Sequence, residues 1–143
     1  MRNLIAAVSV CFLLAAEDKQ DAARKELEKH QGEWSMVSGE REATALPDDF
    51  VKMGKRVVKG DESTVTFGER LFMKAKITLD ATKKPKTIDY TVLEGPNKGL
   101  VQLGIYELDG DTAKFCFAKE RPTDYTTKMG DGRTMSVWKR VKK

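Results

Sequence analysis

Eight short runs of alternating apolar and polar residues, separated by turn-forming residues, constrain the fold of this chain more than any other feature. They lie near residues 33–41, 55–60, 63–68, 70–80, 86–93, 100–109, 112–119 and 134–141. A period of two is typical of β-strands with one buried face. Most connections are short, which favours antiparallel neighbours. We therefore predict an all-β fold of about eight antiparallel strands, a number that can close into a barrel.

The residues between these runs have the chemistry of turns. Asp109-Gly110 is the strongest hairpin pattern in the chain, because this pair tolerates the positive φ angles of a type I′ turn. Gly60-Asp61 and the segment 95–99 are also dense in turn-forming residues. Pro47 followed by two aspartates predicts one helical turn between the first two strands.

The start of the chain has the pattern of a secretory signal peptide. Arg2 precedes an apolar run from Leu4 to Leu14 that only Ser9 interrupts, and two small residues, Ala15 and Ala16, follow it. The run is shorter than the roughly 20 residues that a membrane span requires. We therefore expect export to the periplasm, cell envelope or exterior, with an uncleaved N-terminal anchor as the alternative.

The pattern divides the chain into three parts. Residues 1–16 form the predicted signal peptide, and residues 17–31 form an N-terminal helix and linker rich in helix-favouring charged residues. Residues 32–143 form one β-barrel domain. No stable membrane span is expected after cleavage, and the sequence does not predict an oligomeric state.

The charge distribution does not favour nucleic-acid binding, and the numbers of histidine and cysteine residues do not favour a metal site or nucleophilic catalysis. Lys and Arg number 26 against 22 Asp and Glu, and they are mixed along the strands, so we predict no nucleic-acid partner. One histidine, His30, and one cysteine beyond the apolar run, Cys116, are too few for a metal site or a nucleophile–base pair. We predict a solvated His30, a buried and inert Cys116, no cofactor and no enzymatic activity.

Aromatic residues on the middle strands are the better candidates for a binding site. Tyr90, Tyr106, Phe115 and Phe117 alternate with polar residues, so they either fill the barrel core or line a ligand site. Arg121, in the loop after the seventh strand, either guards a mouth of the barrel or is a solvated loop residue.

Three other residues are predicted to close the barrel. Gly32 lets the chain turn tightly out of the leading helix, because it has no Cβ. Trp34 then falls on the interior face of the first strand. Pairing of the first and last strands would bring Arg140 close enough to stack on the indole.

The closing residues are similar to the lipocalin pattern. Gln31-Gly32-Glu33-Trp34 opens the first strand and Trp138-Lys139-Arg140 ends the last. More closely, the chain resembles a lipocalin-like domain family found mainly in planctomycete bacteria. The further residues that carry the resemblance are Leu27 and the segments 80–86, 94–99, 104–111, 115–118 and 121–123.

The resemblance implies a lipocalin-like barrel in an extracytoplasmic setting, but no established activity. By analogy of fold it suggests a small apolar or amphipathic ligand in the barrel. The alternative is a ligand-free structural or protein-interaction domain of the cell envelope. A cavity of several hundred cubic ångströms would favour the first function, and an interior filled by large side chains would favour the second.

Overall fold

A computed structural model of the chain describes residues 19–142, so the predicted signal peptide over residues 1–16 lies outside the described residues. Helix α1 covers residues 19–30 of this part, and the short helix α2 covers Asp48–Lys52. The strands are β1 (Gly32–Arg41), β2 (Thr44–Ala45), β3 (Gly54–Lys59), β4 (Glu62–Phe67), β5 (Arg70–Asp80), β6 (Lys86–Glu94), β7 (Val101–Asp109), β8 (Thr112–Ala118) and β9 (Thr134–Arg140).

The strands form one closed antiparallel barrel. Strands β3 to β9 follow one another as hydrogen-bonded neighbours, and β1 pairs with both β3 and β9. The predicted all-β fold, an antiparallel barrel of eight strands with an N-terminal helix, is therefore confirmed. The sequence did not predict β2, an additional strand of two exposed residues that pairs with the end of β1.

Strand β1 closes the barrel by serving two neighbours. Its first residues pair with β3, and most of its length pairs with β9. The register shifts between Met36 and Ser38, as in a β-bulge, which leaves Val37 54% exposed on the barrel wall. Trp34 is directly opposite Arg56 on one side and Arg140 on the other.

The barrel has two different ends. The base is the end that holds α1, the β3–β4 and β7–β8 turns and the β5–β6 loop, while the mouth is the opposite end. At the base, Leu27 of α1 packs against the core. At the mouth, α2 buries Val51 and stacks Phe50 on Phe67, with ring centroids 4.0 Å apart.

Large apolar side chains fill the interior between the two ends. Trp34, Tyr106 and Phe115 are each almost completely buried, and Trp138 and Ile88 join the same cluster. Within residues 19–142, no helix has the length and apolar character to cross a membrane.

The predicted environment of His30 is wrong. This residue ends α1, where the sequence predicts a solvated position, but only 1% of it is exposed. The helix lies across the base, so its last turn faces the interior, and the His30 ring packs 5.0 Å from Tyr106. The sequence does not reveal this contact, because the buried positions of α1 include the polar residues Glu26 and His30 and the apolar stripe of the helix is therefore weak.

Candidate functional site

Arg140, Trp34 and Gly32 form a compact group at the base. The Arg140 guanidinium lies 4.2 Å from the centroid of the Trp34 ring and donates to the carbonyl oxygens of Lys29, at 2.7 Å, and Gln31. The indole N–H donates in turn to the His30 carbonyl at 2.9 Å. Gly32 has a φ of 109°, and a Cβ there would lie 3.3 Å from Arg140. These contacts join the two ends of the sheet.

The four aromatic residues singled out in the sequence meet in the interior. Phe117 stacks on Tyr90 at 4.5 Å and lies 6.0 Å from Phe115, and Tyr106 lies 6.5 Å from Phe115. Gly104 makes room for this group, because a Cβ at Gly104 would lie 2.5 Å from the Phe117 ring. The structure therefore places all four side chains together, as part of a packed core.

Arg121, predicted either at a mouth or in solvent, lies against the outer face of the barrel. It forms an ion pair with Asp89 at 2.8 Å and donates to the Gly104 carbonyl at 2.8 Å. With Pro122 it lines an open groove of about 680 Å³ between the start of α1, the β5–β6 loop and the loop after β8. Arg121 is thus separate from the interior aromatic group.

Sequence reasoning missed a third arginine, Arg56, which lies inside the barrel and is 1% exposed. Its guanidinium lies 4.0 Å from the Phe115 centroid and 5.8 Å from the Tyr90 centroid, and its Nε donates to the Ser63 hydroxyl at 3.1 Å. The alternation of β3 could have revealed it, because Arg56 shares a face with the buried Val58.

The buried acidic residue at the base, Glu26, is hydrogen-bonded to three side chains. The Glu26 carboxylate accepts hydrogen bonds from Lys29 at 2.9 Å, Lys86 at 3.3 Å and the Tyr106 hydroxyl at 2.7 Å. Burial alone would raise the pKa of Glu26, but these partners outweigh it and lower the pKa to about 2. Burial and the bond to Glu26 raise the pKa of Tyr106, which keeps its hydroxyl a donor.

Some buried side-chain nitrogens of His30 and Arg56 lack hydrogen-bond partners among the described residues. Both ring nitrogens of His30, and Nη2 of Arg56, are buried without a hydrogen-bond partner among the described residues. Burial, and secondly the positive charge of Arg56, lower the pKa of His30 to about 3. His30 is therefore neutral at pH 7, beside a guanidinium that keeps its charge in proteins.

Neither the Cys116 thiol nor any cluster of metal-ligating side chains among the described residues offers a reactive site. Burial raises the pKa of the Cys116 thiol to about 11, so this residue is protonated at neutral pH and a poor nucleophile. Within the described chain, no cluster of three or more His, Cys, Asp and Glu side chains could hold a metal ion.

Exposed apolar side chains lie at the mouth end of the barrel, on the side from α2 to β7. Two of them, Leu71 and Val101, pair with the outward-facing Thr66 and Thr91 and so lie on the outer face of the wall. We define the mouth rim as six residues that are 36–52% exposed: Met53, Leu71, Phe72, Leu93, Leu100 and Val101. They lie where α2 leads into β3, β5 begins, β6 ends and β7 begins, all at the end of the barrel away from α1. Among the residues that the structure describes, no comparably exposed large apolar side chain lies at the base.

Comparison of the chain with protein-family models, with curated protein sequences and with solved structures returns no match. The geometry of the barrel itself therefore carries the functional argument.

Proposed function

We propose that this chain is an exported lipocalin-like binding protein that takes a small apolar or amphipathic ligand through the mouth of its barrel. The mouth rim is the observation that carries the proposal. Exposing apolar surface to water is unfavourable, and contiguous exposed apolar residues typically mark interaction or ligand-binding sites. Here they gather at the one end where a short helix, rather than α1, covers the interior.

The cover at the mouth is slight compared with the seal at the base. Helix α2 has five residues, and its packing rests chiefly on Val51 and on the stack of Phe50 with Phe67. Phe72 extends this aromatic contact to the rim, with its ring 5.6 Å from Phe67. A ligand that displaced Phe50 would meet the rings of Phe67 and Phe72.

Binding can be measured with N-phenyl-1-naphthylamine, an uncharged probe that fluoresces in apolar surroundings. We expect saturable binding of one probe per chain, with energy transfer from Trp34 and Trp138, which are both buried in the interior. Replacing rim residues by serine, in Phe72→Ser and Leu100→Ser, should weaken binding. Val37→Ser is the matched control, since Val37 is at least as exposed as the two rim residues but lies on the wall in β1.

Two results would contradict the proposal. One is the absence of saturable probe binding to the folded protein. The other is an equal loss of binding in the rim variants and in Val37→Ser, which would indicate general adhesion to exposed apolar side chains.

A second function is favoured by the filled interior. Trp34, Tyr106, Phe115 and Trp138 occupy the space that a resident ligand would need. If the interior stays closed, the mouth rim is instead the contact surface of a ligand-free structural or interaction domain. In that case the probe would bind on the rim without displacing Phe50, so Phe50→Ala would leave its affinity unchanged.

Export is proposed from the pattern of residues 1–16. Mass spectrometry of the exported protein should find a mature chain that begins near Glu17. A mature chain that retains Met1 would contradict cleavage.

A further inference from the structure

Two arginines are strand-register partners of Trp34, and their side chains have different surroundings. In the strand register, Arg140 on β9 and Arg56 on β3 both lie opposite Trp34. Arg140 is only partly buried, and its guanidinium has two carbonyl acceptors and an ion pair with Asp111 at 3.3 Å. A structural role explains every contact of Arg140.

Arg56 lacks all of these compensations. It is excluded from water, and no Asp or Glu of residues 19–142 forms an ion pair with it. The Ser63 hydroxyl accepts from Nε, and Nη2 has no acceptor within the described chain. Burial lowers the pKa of Arg56, and a hydrogen bond to the Tyr90 hydroxyl offsets only part of this effect. A buried charge without a counter-charge is strongly unfavourable, and an apolar residue of similar volume would be at least as stable in that position.

The surroundings of Arg56 supply other donors but no anion. The His30 ring packs 6.1 Å from Phe115, the same ring that the Arg56 guanidinium covers, and both His30 nitrogens lack partners among the described residues. The buried carboxylate at the base, that of Glu26, is already engaged by Lys29, Lys86 and Tyr106. The interior around Phe115 thus holds a cation and unpartnered ring nitrogens within an apolar shell.

We propose that Arg56 is an anion-binding residue, which receives the carboxylate end of an amphipathic ligand inside the barrel, with His30 as a second donor. A guanidinium matches a carboxylate through two parallel N–H···O bonds, and such charge-assisted bonds are the strong ones. The neutral imidazole has one N–H to offer. This inference rests on the proposed function, and it specifies the chemistry of the ligand.

The test compares two probes of equal chain length, octanoate and 1-octanol, by calorimetric titration at pH 7. Wild-type protein should bind octanoate about 10- to 100-fold more tightly than octanol, as a charge-assisted contact predicts. Arg56→Met should remove this preference while leaving octanol binding in place. The matched control Arg24→Met, at an exposed position on α1, should keep the preference.

Further measurements keep the result interpretable if Arg56→Met folds poorly. Arg56→Lys keeps the charge but loses the planar fork, so its preference for octanoate should be intermediate. The ligand-free Arg56→Met protein should melt at the same temperature as the parent or higher, because it loses an unpaired buried charge. A structural arginine would instead give a lower melting temperature and an unchanged preference.

The outcomes separate this inference from the proposed function. Equal binding of octanoate and octanol to the wild type, or a preference that survives Arg56→Met, would overturn the inference and leave the ligand-binding barrel standing. Failure of octanoate and octanol to bind would overturn the inference, and it would overturn the proposed function as well if N-phenyl-1-naphthylamine also failed to bind saturably. If acetate bound as tightly as octanoate and needed Arg56, the anion site would stand and an amphipathic ligand would be excluded.

Discussion

The guanidinium of Arg140 lies 4.2 Å from the centroid of the Trp34 ring, and it also binds the carbonyl of Lys29 near the end of α1. This relationship links the last strand, the first strand and the leading helix at one point. The barrel depends on it because β1 must hold β3 and β9 at once.

Trp34→Ala should destabilise the fold by roughly 3–5 kcal/mol, because a fully buried indole is replaced by a cavity. Urea unfolding of the variant and the parent measures the difference. Val37→Ala, at an exposed position of the same strand, is the control and should change the free energy of unfolding by less than about 0.5 kcal/mol. An unchanged unfolding midpoint for Trp34→Ala would exclude this closure.

Arg140→Lys should have an intermediate effect, of about 1–2 kcal/mol. An ammonium group cannot stack as a plane on the indole, nor can it reproduce the fork that meets both the Gln31 and Lys29 carbonyls. The same urea titration ranks the variants, and a cost above that of Trp34→Ala would show that the arginine, not the indole, dominates the closure.

His30 should make the protein less stable as the pH falls from 6.5. The unfolded chain takes up a proton with a pKa near 6.5, whereas the folded chain does so only near pH 3. The unfolded state therefore binds more protons in this window, and stability decreases as the pH decreases. Glu26, whose pKa is lowered from 4.5 to about 2, adds its own loss only below pH 4.5.

His30→Phe separates the two groups. Between pH 6.5 and 4.5 the wild type should lose about 2 kcal/mol of stability that the variant keeps, while both should lose stability below pH 4.5. Denaturant unfolding across this range provides the measurement. Parallel pH profiles for the two proteins above pH 4.5 would show that His30 takes up a proton in the folded state.

Gly104→Ala should cost roughly 1–3 kcal/mol, because the added Cβ would lie 2.5 Å from the Phe117 ring. Moving that ring would also disturb its stack with Tyr90. In the double variant with Phe117→Leu, the smaller side chain should relieve the clash. The double variant should therefore lose less stability than the sum of the losses of the two single variants. Strictly additive costs would show that Gly104 matters for another reason.

Much of the barrel follows from local patterns. The Asp109-Gly110 turn joins β7 to β8 where the sequence predicts a hairpin, and the bounds of the eight barrel strands agree with the predicted runs to within two residues. Alternation and turn chemistry act over a few residues, so they are visible without knowledge of the partner strands. The sequence did not predict the β-bulge beside Val37 or the short strand β2, because both depend on how β1 divides its length between neighbouring strands.

The sequence by itself determined the number of barrel strands, the hairpin turns and the alternating faces, because each is a property of neighbouring residues. Only the tertiary structure decided the surroundings of three polar side chains. Arg56 lies in the interior without a counter-charge, His30 is buried at the base, and Arg121 lies on the outer face. Charge favours solvent for all three, although the alternation of β3 puts Arg56 on the same face as the buried Val58. Their final surroundings come from closure of the sheet and from the packing of α1, which bring together residues that are distant in the chain.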